Sequence, residues 1–491
     1  MYYIGIDLGT SAVKLLLVDG SGTICNTVTR EYPLIFPHPG WSEQDPKEWW
    51  NAVTDGVRAL LNGFAADEVK AIGCGGQMHG LVVLDAHDEV IRPAILWNDG
   101  RTEDEVRWLN ETVGRDVLSE ETANIAFAGF TAPKLLWMQH NEPENYARIR
   151  RIMLPKDYIN YRLTGVHSTD CSDASGMLLF DVKHRCWSEK MLDLCGVNAG
   201  QMPKVFESYE VTGTLLPNVA KQLGLPESVL VTAGAGDNAA AAVGTGTVFD
   251  GACNISLGTS GTIFISSDTF GVDPFNALHA FAHANGRYHL MGCILSAASC
   301  NKWFCDEILR SKDYANEQAG ITDDRLGNNR VFFLPYLMGE RSPINDTNAR
   351  GTFTGLTMDS TRQDMLQAVL EGVAFAVRDC FEVAKSLKIP IESSKLCGGG
   401  AKSPLWRKIV ANVLNIRLEL PQAEEGPGYG GAMLAMVGDG LYPSVEACAE
   451  ALVHTASVVE PDPAIAARYE AQYQKYRRLY PALKETFAAI R

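Results

Sequence analysis

Apolar and polar positions alternate along this chain in two rhythms, and each rhythm predicts a different element. At the start, Tyr3, Ile4, Gly5 and Ile6 form one apolar run and Val13 to Val18 another, separated by Asp7-Leu8-Gly9-Thr10-Ser11 and closed by Asp19-Gly20-Ser21-Gly22. That pattern predicts a β-hairpin. Further on, Trp49, Val53, Val57 and Leu61 recur every fourth residue behind Asp45-Pro46-Lys47-Glu48. An N-cap, a proline at the first helical position and a glutamate at the third predict a core-facing helix there. Short strands are expected at Val69 to Gly73 and Leu81 to Leu84, and helices at Lys134 to His140 and from Leu154-Pro155-Lys156-Asp157-Tyr158 onward. Val229 to Val231 reads as a buried strand, with a helix through Ala239 to Ala242 directly after it.

The second half repeats the opening theme. Asn254-Ile255-Ser256-Leu257-Gly258-Thr259-Ser260-Gly261 leads into the apolar run Ile263 to Ile265, a second hairpin. Phe332 to Leu337 is an apolar strand that gives way to the charged loop Gly339-Glu340-Arg341-Ser342-Pro343. A long helix follows through Asp364 to Phe375, with Val369 and Val373 inward and Glu371 partnered inside the lobe. Trp406, Ile409, Val410, Val413 and Leu414 mark another helix, and Pro461 to Arg491 reads as helical with packing tyrosines.

With 491 residues the chain exceeds one ordinary core, so two lobes of about 250 residues each are expected. No apolar run approaches the length of a membrane span, and the N-terminus lacks a secretory pattern, so a cytoplasmic protein is expected. A formal charge of −16 argues against a nucleic-acid partner, but not against an anionic cofactor held by amides and a metal ion. The 12 cysteines include no Cys-x-x-Cys pair, which points to buried thiols rather than zinc ligands or a disulfide framework.

Candidate chemistry gathers at the turns. Asp7 lies where the first strand meets the Gly-Thr-Ser tip, and Gly9 lets amides and hydroxyls of Thr10 and Ser11 converge on one anion. Alone such a stretch is more often an ordinary hairpin turn; its echo at Gly258-Thr259-Ser260 favours two phosphate loops facing each other. Gln77-Met78-His79, flanked by glycines, presents side chains into a cleft, although a lone histidine is more often structural. Asn98, Asp99 and Arg101 fit either hydroxyl binding or a helix cap. Cys397-Gly398-Gly399-Gly400-Ala401-Lys402-Ser403-Pro404 is a strand-to-helix turn flat enough for a purine or ribose. In Gly234-Ala235-Gly236-Asp237-Asn238, Asp237 is either a catalytic carboxylate or a helix cap, and the stretch alone does not separate the two.

Three glycine clusters in this order resemble the actin-like, ribonuclease-H-fold ATPases. The whole chain is similar to the FGGY carbohydrate kinases, in Trp41-Ser42-Glu43-Gln44-Asp45-Pro46, Gly76-Gln77-Met78-His79-Gly80, Gly129 to Trp137, Leu154 to Tyr158 and Gly351 to Leu356 running on to Glu371. The resemblance implies an α/β protein of two duplicated actin-like lobes with a cleft between them. Residues 1–246 would form the sugar-binding lobe with the first phosphate hairpin and the catalytic aspartate, and residues 247–491 the nucleotide-binding lobe. It implies ATP-dependent phosphorylation of a ketopentose, D-xylulose to D-xylulose 5-phosphate, with ribulose, another ketose or a polyol as alternative substrates. By the same carry-over Asp237 is the general base, and Met78, His79 and Asn238 contact the sugar. Asp7 holds Mg²⁺, and Thr10, Ser11, Lys14, Gly258 and Thr259 approach the phosphates. Gly399, Gly400, Ala401 and Ser403 face the adenosine. The chain departs from the family pattern at Tyr429, where relatives place a small residue, and this bears on the shape of the nucleotide pocket. The partners implied are sugar and ATP, without nucleic acid or membrane, and a homodimer is compatible. An actin-like chaperone or filament ATPase would need a peptide-binding or assembly module, which nothing after Ser403 supplies. A sugar-binding regulator without catalysis would not need both Asp7 and Asp237.

Overall fold

Each half of the chain builds a seven-stranded sheet around the hairpin that opens it, in a computed structural model that describes residues 1–422 and 425–490. In the first, Tyr2–Leu8 pairs antiparallel with Ala12–Asp19, Leu8 opposite Val13, and parallel with Val69–Gly76 on its other side. Ile24–Glu31 extends the antiparallel edge, and Leu230–Thr232 and Val211–Thr214 extend the parallel one. The second sheet repeats the plan. Cys253–Leu257 lies between antiparallel Gly261–Ser267 and parallel Ser393–Cys397, with Tyr288–Ile294 and His279–Ala282 outward on one side and Arg417–Pro421 and Thr455–Val459 on the other. The two lobes therefore have the duplicated α/β architecture expected of an actin-like fold.

The first sheet is covered on both faces, which is why its strands read as near-continuous apolar runs. Ile4, Ile6 and Leu8 meet helices Pro46–Leu60 and Pro155–Thr164, and Trp49 and Val53 are fully buried there. Asp45 caps the first of these helices, accepting from Lys47 N at 2.9 Å, as its sequence signature requires.

The opposite face, with Tyr3, Leu16 and Ala71, is covered partly from the far half of the sequence. Helix Gly426–Gly438 lies across it beside helix Asp237–Gly244, so closely that a Cβ at Gly5 would stand 1.9 Å from Gly428 O. At Gly430 a Cβ would stand 1.8 Å from Ala240 O, and at Gly73 2.0 Å from Gly431 O. The glycines at 426 to 431 thus allow backbone to touch backbone. This corrects the reading of Tyr429. It is 5% exposed, its hydroxyl donates to Gly22 O in the turn after the first hairpin at 3.0 Å, and it does not line the cavity beside Gly258 and Gly399 described below.

In the second lobe, Thr361 and Asp364 form a capping box at the start of helix Arg362–Ser386. Glu371 on that helix is buried and accepts hydrogen bonds from Gln367 at 2.7 Å and Tyr469 at 2.8 Å, a packing role. No helix among the described residues is long and apolar enough to cross a membrane.

Candidate active site in the interlobe cleft

Asp237 owes its place to the turn before it. Gly234 adopts a left-handed φ of 73°, and a Cβ there would stand 2.0 Å from Cys74 O, so only glycine brings the chain this close to strand Val69–Gly76. The helix cap is Gly236, and Asp237 is the first helical residue. Its Oδ1 accepts from Asn238 N at 2.7 Å and Asn238 Nδ2 at 3.1 Å, while among the described residues no group donates to Oδ2. The carboxylate is enclosed on most sides but partly open to the cleft. Burial, reinforced by the negative charge of Asp7 and only partly offset by the Asn238 amide, pushes its pKa up to about 7. Asp7, at the end of the first strand, is likewise raised by burial to about 6, with Lys14 opposing the shift. Two carboxylates from different elements thus face one another electrostatically, each poised to change charge near neutrality.

Beneath the turn lies a fully buried charged cluster. Lys156 Nζ is 2.7 Å from Asp157, 2.9 Å from Asp170 and 3.7 Å from Asp173, all with no exposed side-chain surface. Burial pulls the ammonium pKa down, but the three carboxylates outweigh it and hold it well above the usual value. Asp170 Oδ2 accepts from Ser172 Oγ at 2.6 Å, and Ser172 Oγ in turn accepts from Gly236 N at 3.1 Å. The cluster therefore braces the turn that aims Asp237. None of its members except Lys156 and Asp157 drew notice from the sequence, and those two only as a helix start.

The Gln77-Met78-His79 bend faces the same cleft. Met78 is buried, within 3.9 Å of Asn238 Nδ2. His79 holds a left-handed φ of 69°, and its Nδ1 lies 2.8 Å from Gly176 O, a bond it makes as donor. Burial first, then the nearby Lys134 ammonium, depresses its pKa to about 3, so the ring is neutral and Nε2 is left as an acceptor for a hydroxyl. Lys134 itself is fully buried and donates to His79 O at 2.9 Å and Gly129 O at 2.6 Å.

A strip of amides ties this bend to the first hairpin. Gln44 Oε1 accepts from Trp49 Nε1 at 3.0 Å and Gln77 Nε2 at 3.1 Å, and Gln44 Nε2 donates to Thr10 O at 2.7 Å. Tyr32 donates to Gly9 O, and Trp97 Nε1 to Thr10 Oγ1 at 3.0 Å. Ser11 is exposed at the tip, and Lys14 pairs with Glu425. Asp99 and Arg101, candidates for hydroxyl binding by sequence, are instead buried against each other and Glu43, with Arg101 3.8 Å from the Trp41 ring. Asn98 remains exposed.

The second hairpin and the third glycine turn enclose a cavity of about 1130 Å³ walled by Gly258, Thr259, Gly399, Gly400 and Ser403, with Trp303 and Tyr314. Ser403 caps helix Pro404–Leu414, accepting from Trp406 N at 3.2 Å and donating to Gln318 at 2.6 Å. Ala401 stands behind that wall, 2% exposed, and Thr10, Ser11 and Lys14 lie outside the cavity on the first lobe.

The N-terminal domain of the FGGY family of carbohydrate kinases matches residues 2–244, and its C-terminal domain residues 253–438. The chain belongs to the FGGY family of carbohydrate kinases. Among relatives of this FGGY kinase, the xylulose kinase of Escherichia coli (strain K12) is 42% identical, covering 98% of this chain and 99% of its own. Two solved structures from Lactobacillus acidophilus each superpose with a TM-score of 0.95. One is a ligand-bound xylulose kinase, 26% identical and covering all of both chains, and the other is a gluconate kinase, 27% identical, covering 100% of this chain and 99% of its own. Backbone likeness alone therefore does not choose the sugar. As a member of this family the FGGY kinase is an ATP-dependent sugar kinase.

Proposed function

We propose that this FGGY kinase transfers the γ-phosphoryl group of ATP to D-xylulose, forming D-xylulose 5-phosphate, with Asp237 as the general base. The observation that carries the reading is the Asp237 carboxylate, open to the cleft through Oδ2 and held near pKa 7 beside Asn238, Met78 and a neutral His79. A base poised near the working pH is what a hydroxyl nucleophile requires, and the remaining demands of phosphoryl transfer are positioning and charge stabilisation. The identity of the sugar is supported by the extent and identity of the match to the Escherichia coli xylulose kinase.

In this reading the first lobe, residues 1–246, holds the sugar and the second the nucleotide, its adenosine in the cavity between Gly258 and Gly399, in a cytoplasmic enzyme. Among the described residues no group of three or more His, Cys, Asp or Glu side chains forms a metal cage. Asp7, whose carboxylate accepts no hydrogen bond among the described residues and which has Asp237 nearby, fits Mg²⁺, which keeps most of its waters and is held by one or two carboxylates together with substrate phosphates. The ion would supply charge neutralisation at the phosphate oxygens.

The test is sugar-dependent ADP release across ketopentoses, ketohexoses and polyols. D-xylulose is expected to be the best substrate, and Asp237→Asn to retain the fold and ATP binding while losing about 10²- to 10⁴-fold in kcat. Turnover of none of these sugars, or near-normal turnover by the variant, would overturn the assignment.

A further inference from the structure

Among the described residues, one cation on the cleft side has no hydrogen-bond or ion-pair partner for its side chain. Arg341 is anchored through its backbone. Its N donates to Glu340 Oε1 at 2.8 Å, its O accepts from Asn345 N at 2.5 Å, and the next residue, Ser342, donates to Cys293 O at 2.9 Å at the edge of the second sheet. Its side chain is half-buried, yet no carboxylate or carbonyl among the described residues accepts from its guanidinium. Other enclosed arginines of this protein are matched, Arg101 by Glu43 and Asp99, Arg378 by Glu382 and Glu470. The Arg341 guanidinium instead lies 5.3 Å from the centroid of Phe127.

Phe127 belongs to a box of rings that leads back to the sugar-facing bend. It meets Phe130 at 5.5 Å and His279 at 5.0 Å, and Phe130 meets His79 at 4.8 Å. His79 adjoins Met78, which touches Asn238 beside Asp237. The side chains thus form a continuous path from the carboxylate of the first lobe to a guanidinium of the second. Both histidines on the path are neutral, depressed by burial and further by nearby cations that include Arg341, so the box supplies no anion to pair with the guanidinium.

We propose that Arg341 is a substrate-binding residue that grips the carbonyl end of an open-chain ketose, donating to its C2 carbonyl and C1 hydroxyl oxygens. The inference rests on the reading of Asp237 as the base for the C5 hydroxyl. A sugar lying along the path then has its reacting hydroxyl at one end and two adjacent oxygens at the other, a pair that matches the planar fork of a guanidinium. Because Arg341 belongs to the second lobe and Asp237 to the first, the ketose bridges the two, and its binding favours closure of the cleft. A polyol has no carbonyl oxygen there, and a site built to donate to one discriminates against the analogue that lacks it.

The experiment compares the wild-type enzyme with Arg341→Met and Arg341→Lys. Turnover of D-xylulose by the wild type is measured first and tests the underlying reading separately. In Arg341→Met the KM for D-xylulose is expected to rise about 10- to 100-fold while the KM for ATP stays within about twofold, which also reports an intact fold. Inhibition by xylitol, the matching pentitol, is expected to weaken by less than about threefold, and Arg341→Lys to recover part of the ketose affinity. A ketose KM within twofold of wild type in Arg341→Met would overturn the proposal, as would equal losses for ketose and pentitol.

Discussion

Replacement of Gly430 by alanine sets two physical rules against each other. In a helix interior alanine is favoured over glycine by about 1 kcal/mol, so propensity alone predicts that Gly430→Ala stabilises the protein. The packing predicts the reverse. The new methyl would stand 1.8 Å from Ala240 O, 2.7 Å from Ala240 C and 3.0 Å from Gly244 N, all backbone atoms of the helix that begins at Asp237. Ordinary contact begins at 3.4 Å, so the helices must part by about 1.6 Å, and no flexible side chain can yield in their place. Overpacking of a rigid contact costs about 1–3 kcal/mol or more, and a clash with backbone belongs at the upper end, so a net loss of about 2 kcal/mol is expected after the propensity gain. Guanidinium unfolding followed by circular dichroism reads this as a lower midpoint. Gly271→Ala, where the nearest atom is 3.9 Å away, serves as the control. A Gly430→Ala protein as stable as wild type, or more so, would refute the backbone-to-backbone contact.

Two further outcomes follow from the electrostatics. In the proposed role of general base Asp237 must be ionised to accept a proton, and with its pKa raised to about 7, kcat/KM for the sugar should fall about tenfold per unit as pH drops below 7 and level off above about 8. A profile flat down to pH 5 would contradict this. Lys156→Met should cost about 3–5 kcal/mol of stability, because Asp157, Asp170 and Asp173 would be left buried without their cation; unchanged denaturation would show the cluster to be dispensable.

Local signals carried far in this chain. The two hairpins, the cap at Asp45 and the capping box at Thr361 are written in contiguous residues and formed where those residues stand. Flanking glycines singled out Asp237 and the Gln77-Met78-His79 bend, the family resemblance alone gave Met78 and Asn238 their expected roles, and the structure brings Asp237, Met78 and Asn238 together. Long-range partnership was not legible. Asp99 and Arg101 have the composition of a hydroxyl site, and only the fold reveals that Glu43 and Trp41 occupy them. Asp170 and Asp173 look like any polar loop until Lys156 is placed beside them. The glycines near Tyr429 were read as bearing on the shape of a nucleotide pocket, whereas their neighbours are the alanines at 240 and 241 and the strand glycines Gly5 and Gly73. Two stretches of small residues, far apart in sequence, were the available clue that one backbone lies on another.

That contact also sets an order of events at the ribosome. Residues 1–244 contain the first sheet and the proposed catalytic carboxylate, but one face of that sheet and the flank of the aspartate helix stay bare until Gly438 has emerged. At about 5–20 residues per second, the intervening stretch of roughly 200 residues takes about 10–40 s to synthesise. A nascent chain therefore carries Asp237, the proposed base, long before it can hold that carboxylate in place. A product truncated ahead of Gly426 would leave Tyr3, Leu16 and Ala71 without the helix that covers them.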